Sequence, residues 1–288
     1  MQEDSKKVCI IKDNNVNKAV TLALEPFQSV IEKGAKQHSS ILIKPNLCGG
    51  VPGEPGSHTN IEVVRALAGI LKSFGVPFFI GEADCSFNDT AHVFNVLGIY
   101  KLAKDYGIQV TNLSEGPYND IEVPRPLSIK TVRVSRIITE SFIVSVPVLK
   151  THPWSGITIN MKNMFGAIYE PEKAMYHNGL DKNIVDINKV ITPHLCVTDA
   201  SIAVVRGGFK YGLWVGTPPT RLDTVIAGVN NVSVDAVGIK LLQRDPWSIG
   251  HIKHAVEQGL GVCDIQQLSI ISNIQDAVLE KKEGAFRL

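Results

Sequence analysis

The hydrophobic positions of this chain follow two alternating rhythms. Short apolar runs rich in β-branched residues occupy 8–11, 41–43, 76–80, 108–111, 142–149 and 195–198. Continuous hydrophobicity over so few residues is the mark of strands buried on both faces. Between them apolar residues recur at helical spacing. Val20, Leu24, Phe27, Val30 and Ile31 do so over 18–36, across Pro26, and Val63, Val64, Leu67, Ile70, Leu71 and Phe74 do so over 59–74. Thr59 with Glu62 three residues on reads as a capping box, and Gly75 as the stop. Asp89 or Thr90 opens a helix through Leu97, and a further helical stretch runs over 100–106. The pattern then predicts helices over 183–190, 234–242 and 248–258, and strands over 222–227 and 265–271.

Strand and helix in alternation predict an α/β, Rossmann-like fold: a mostly parallel sheet with helices on both faces. Residues 41–43, 76–80, 142–148 and 195–198 are expected in one such sheet. The stretch 118–134 breaks the rhythm. Apolar and polar residues alternate over 121–123 and 129–134, and Pro124 and Pro126 confine that part to an antiparallel edge or hairpin. The whole of 1–288 reads as a single α/β domain, with a loop-rich subdomain near 150–220 where Gly207, Gly208, Gly212 and Gly216 cluster.

Composition narrows the partners. A net charge of +1 supplies no footprint for nucleic acid, so anion binding must be local. The polar amino terminus lacks the apolar core of a signal peptide, and no stretch approaches the roughly 20 apolar residues of a membrane span. Cys9, Cys48, Cys85, Cys196 and Cys263 are scattered, with no CxxC pair. Reduced thiols, a cytoplasmic location, no membrane partner and no cluster held by the chain are the expectation.

The chemistry collects at strand ends. Lys44 and Asn46, Glu82 and Asp84, Lys150 and His152, and Asp199 each follow an apolar run. Parallel strands bring their carboxyl ends to one edge, where open α/β sheets bind ligands. Lys44, Lys150 and Lys162, with Asn46 and Asn163, would form a cationic, amide-rich pocket for carboxylate or phosphate oxygens. His152 and His177 are the candidates for proton transfer, with Asp199 as a third catalytic group. Glu82, Asp84, Asp199 and Asp235 are the carboxylates a hard cation would want, but their spacing writes no metal site. Asp235 reads as a cap on its own helix, and His251 with His254 as a solvated helix face. No glycine pattern matches a nucleotide loop, and the sequence names no cofactor.

In order, KPN at 44–46, Thr59 at a helix start, LKTH at 149–152, MKNMFG at 161–166, His177, Asp199 at a strand end and VDAVG at 234–238 resemble the domain-of-unknown-function family numbered 362. The resemblance runs from about Lys44 to about Gly261, and the KTH…KN pair is its most specific part. It highlights Lys44, Asn46, Thr59, Lys150, His152, Lys162, Asn163, Gly166, His177, Asp199 and Asp235, and implies a Rossmann-like fold without a settled activity. Many relatives carry an appended ferredoxin-like segment with clustered cysteines, which this sequence lacks. A GPxxG-like turn of the family is here Gly208-Phe209-Lys210-Tyr211-Gly212.

Two functions follow as expectations. The first is an enzyme that binds a small anionic metabolite through lysine and asparagine and moves a proton through histidine, as isomerisation, racemisation or hydrolysis would need. The alternative is a non-catalytic docking or cofactor-carrier module serving an iron–sulfur or other redox-protein partner.

Overall fold

The computed structural model describes residues 4–47, 52–85, 89–170, 172–205, 208–210, 213–215 and 219–274. Cys48, Gly207, Gly212 and Gly216 lie outside them. The strands are β1 (Lys7–Lys12), β2 (Ser40–Pro45), β3 (Phe78–Glu82), β4 (Gln109–Asn112), β5 (Tyr118–Glu122), β6 (Thr131–Ser135) and β7 (Ser141–Val146). There follow β8 (Val148–His152), β9 (Gly156–Thr158), β10 (Leu195–Val204), β11 (Gly208–Lys210), β12 (Leu213–Val215), β13 (Thr220–Gly228) and β14 (Ser269–Ser272).

The main sheet runs β14-β1-β13-β10-β7-β2-β3-β4. The five strands from β10 to β4 are parallel, so the predicted sheet is present. β13 runs antiparallel to both β10 and β1, and β5 with β6 forms a separate antiparallel hairpin. Pro147 divides the long apolar run 142–149 into two strands. Proline donates no ladder hydrogen bond. β7 therefore ends at Val146, and β8 resumes along the outer half of β10 before turning back into β9. That excursion carries Lys150 and His152 beyond the sheet edge.

Helices cover both faces. α1 (Val16–Leu24) and α2 (Gln28–Gln37) replace the single helix expected over 18–36, because Pro26 sits in a 3-10 turn between them. α3 (Ile61–Leu71) is capped by Asn60, which accepts the Glu62 N–H at 3.0 Å, so the cap is one residue later than predicted. With α4 (Thr90–Val96) and α5 (Ile99–Tyr106) these pack on one face, against Ile41, Ile43, Val144, Val146, Leu195 and Val197. On the other face the intervening strand residues Leu42, Ile143 and Cys196 meet α7 (Asn160–Phe165), α8 (Leu180–Val190), α9 (Asn231–Leu241) and α10 (Gly250–Glu257). A short α6 (Arg136–Glu140) leads into β7. This two-faced burial is what continuous apolar runs require.

Candidate functional site

The strand-end residues separate into a closed cross-tie and an open cluster. In the cross-tie, Lys44 at the end of β2 is 1% exposed and its Nζ lies 2.5 Å from Glu82 Oε1 at the end of β3. Lys44 Nζ also donates to Asn163 Oδ1 (3.1 Å), while Asn163 Nδ2 donates to the Lys44 carbonyl (3.0 Å) and to Ser145 Oγ (3.1 Å). The N–H groups of Leu47 and Ala83 complete the Glu82 carboxylate. A Cβ at Gly166 would sit 3.1 Å from Lys44 Nζ, so a glycine lets α7 close on this pair. Charge, donors and acceptors are matched here. The arrangement joins β2, β3, β7 and α7 and leaves little capacity for a ligand.

Thr59 is a second tie. Its hydroxyl donates to the Val146 carbonyl (2.6 Å) and accepts the Asn46 N–H (2.8 Å). Asn46 Oδ1 is buried and has no hydrogen-bond partner among the described residues. Asp199 accepts from the Asn60 N–H, the Ser201 N–H and the Ser201 hydroxyl, and it is fully buried. Burial raises its pKa, against those three donors. Its oxygens hold the entry to α3 against β10. Asp235 does not cap its own helix. It accepts from Asn160 N and Nδ2 and from Met161 N, each at 2.9 Å, and so caps α7, the helix that carries Lys162 and Asn163. Burial pushes Asp235 up to about 7, with those donors pulling the other way.

The open cluster lies where β8 turns into β9. His152 Nδ1 accepts the N–H groups of Trp154 (3.3 Å) and Ser155 (3.2 Å), which leaves Nε2 as the N–H donor of a neutral ring. Burial, then Lys162 and Lys150, then His177 and His251, push His152 down to about 2. The His177 ring lies nearly parallel to it at 6.4 Å, with Trp154 (5.1 Å) and Phe165 (5.6 Å) edge-on to His177. His177 Nδ1 lies 3.2 Å from the Ala174 carbonyl; donating there, the neutral ring keeps a lone pair on Nε2. Lys162 Nζ stands 3.8 Å over the Phe165 ring. Lys150 donates to the Ser57 carbonyl at 2.6 Å, and its charge helps push the neighbouring His58 down to about 4.

A family model described as a domain of unknown function, DUF362, matches residues 41–240. The chain belongs to that family. A thylakoid-associated protein of Synechocystis sp. is 27% identical over 238 residues, covering 79% of this chain and 70% of that protein. The DUF362 match takes in both the cross-tie and the open cluster. Among the described residues no helix is long and apolar enough to cross a membrane, and no group of three His, Cys, Asp or Glu side chains is placed to hold a metal ion.

Of the predicted site residues, Lys150, His152, Lys162 and His177 are therefore neighbours through contact or charge. Lys44 is held by Glu82, Asn163 by Lys44 and Ser145, and Asp199 by Asn60 and Ser201. Sequence reasoning read His251 as part of a solvated helix face, and the structure corrects that. His251 is fully buried rather than solvated, and its Nδ1 lies 3.3 Å from Asp181 Oδ1, whereas His254 is the half-buried partner of Glu257. The expected start of α8 at 183 hid Asp181, which the structure places in the first turn of that helix. Gly250 before His251 was the available signal.

Proposed function

We propose that the chain is an enzyme acting on a small anionic metabolite, a carboxylate or phosphate, bound at the β8–β9 turn. The observation that carries this reading is the gathering of Lys150 and Lys162 about the His152–His177 pair, where the charges acting on His152 come from lysine and histidine. Like charges brought close together favour an anion beside them. His152 would donate its Nε2–H to an oxyanion, a role that suits a ring held neutral. His177, half-buried and with its Nε2 lone pair available, would take or return a proton. Its pKa is lowered by burial and Lys162, and two backbone hydrogen bonds work the other way. The cytoplasm remains the proposed location.

Phosphate, sulfate and succinate, compared with chloride at one ionic strength, test the reading by thermal unfolding. At about 100 times its dissociation constant an anion adds roughly 2.7 kcal/mol of stability. Lys162→Ala should abolish that gain. An equal response to all four anions would remove the proposed site. Turnover is then sought as solvent-deuterium exchange into bound carboxylates, which His177→Ala should eliminate.

The docking or cofactor-carrier alternative draws on one observation, the 68% exposure of both Trp154 and Met175 beside this cluster. Capture of a reduced iron–sulfur protein that Trp154→Ala loses, with no anion effect, would favour it.

A further inference from the structure

His251 opens α10, whose first turn abuts the proposed site. Gly156 is the register partner of His152 in the β8–β9 pair, and a Cβ on Gly156 would lie 2.9 Å from Ile249 Cδ1, two residues before His251. From the other side, Asp181 Oδ1 accepts the His251 backbone N–H (3.1 Å) and faces its Nδ1 at 3.3 Å. This approach needs Gly250, since a Cβ there would fall 2.2 Å from Asp181 Oδ2. An Asp on Nδ1 fixes the tautomer with the proton on Nδ1 and the lone pair on Nε2. That Nε2 is fully buried and has no hydrogen-bond partner among the described residues. A buried acceptor left unmade is costly, so its persistence asks for a donor that arrives from elsewhere. The Gly156–Ile249 approach sets α10 beside the cluster, and the Lys162 charge accordingly lowers the pKa of His152, His177 and His251 alike.

We propose that His251 Nε2 is the acceptor for an O–H or N–H group carried by the bound anion, so that the ligand is a hydroxy- or amino-substituted carboxylate rather than a simple one. This rests on the anion site proposed above and deepens it by naming the substrate class. Lys162 and the His152 Nε2–H hold the charged end, and His251 reads the donor beside it. Asp181 is a positioning residue, holding the imidazole with its lone pair presented. The donor would come with the ligand, since Nε2 is buried and has no hydrogen-bond partner among the described residues.

Isothermal titration of the full chain with matched pairs, malate against succinate and lactate against propionate, tests the assignment. The hydroxylated member should bind about tenfold tighter, the worth of one good hydrogen bond. His251→Asn keeps an amide donor for Asp181 but has nothing at the Nε2 position, and it should bring each pair to equal affinity without weakening succinate. Equal affinities in the unaltered protein, or a preference that survives in His251→Asn, would overturn the inference while leaving the anion site standing. If none of the four binds, the inference falls, and the response to phosphate and sulfate then decides whether the anion site stands without it. A second measurement needs no variant: the nitrogen-15 resonances of His251 should report the Nδ1–H tautomer, with Nε2 shifting on addition of malate but not of succinate. The opposite tautomer overturns the proposal.

Discussion

Lys44 and Lys162 lie at the same edge of the fold and come from the same kind of sequence, a basic residue followed within two positions by asparagine. Their fates differ because of what surrounds them. Lys44 meets Glu82 on the adjacent parallel strand, and the pair is buried and hydrogen-bonded on every side. Lys162 stands over an aromatic ring among histidines. A strand-end lysine is thus no sign of a ligand site by itself; the counter-charge from the neighbouring strand decides. Where the counter-charge is built in, the lysine stabilises the fold.

The largest effect should come from unbalancing the cross-tie. Glu82→Ala leaves the Lys44 ammonium buried without its carboxylate and should cost about 3–5 kcal/mol, read from urea unfolding. A loss under 1 kcal/mol would show that Lys44 is not held by Glu82 and would erase the contrast. Asp235→Ala comes next. It strips three N–H groups of their acceptor at the start of α7 and should cost about 2 kcal/mol, the upper part of the range for a lost cap. The anion response would weaken as well, because Lys162 rides on α7; an unchanged response would mean that Lys162 is positioned by something else.

Lys150→Ala should fall between the two regions, losing about 1 kcal/mol for its bond to the Ser57 carbonyl and also most of the anion-induced gain. Loss of stability alone would move Lys150 to the structural side of the comparison. Acid sensitivity gives the subtlest test. His152 has its folded pKa lowered from 6.5 to about 2, so the unfolded chain binds the extra proton between those values. Its contribution is complete above pH 6.5 and is lost progressively as pH falls towards 2. His58 and His194, both lowered to about 4, add slopes of the same sign. His152→Gln should flatten the slope below pH 6, and a bound anion should flatten it too by offsetting the lysines. A slope unaltered by both would show that His152 is not the group strained by positive charge.

How much could be read beforehand follows the range of the interactions. The parallel sheet was legible in 41–43, 76–80, 142–148 and 195–198, because continuous burial needs continuous apolar sequence. Asp89 as a helix cap and the 118–134 hairpin were legible too, being local patterns. The break at Pro147 was written in the chain but read as part of one strand, although proline cannot serve an interior ladder. Gly250 was visible in the sequence, but its purpose is a carboxylate from α8.

The sequence by itself determined the class of fold, the set of polar residues delivered to its edge, and the types of chemistry they carry. Only the tertiary structure decided which of them were already satisfied. Lys44 with Glu82, Asp199 with Asn60, Asp235 with Asn160 and His251 with Asp181 are separated by 38, 139, 75 and 70 residues along the chain. Whether a charge is free to meet a ligand depends on its nearest opposite charge and donors in space. No spacing along one strand or helix encodes that, because the partner is chosen by strand order and helix packing.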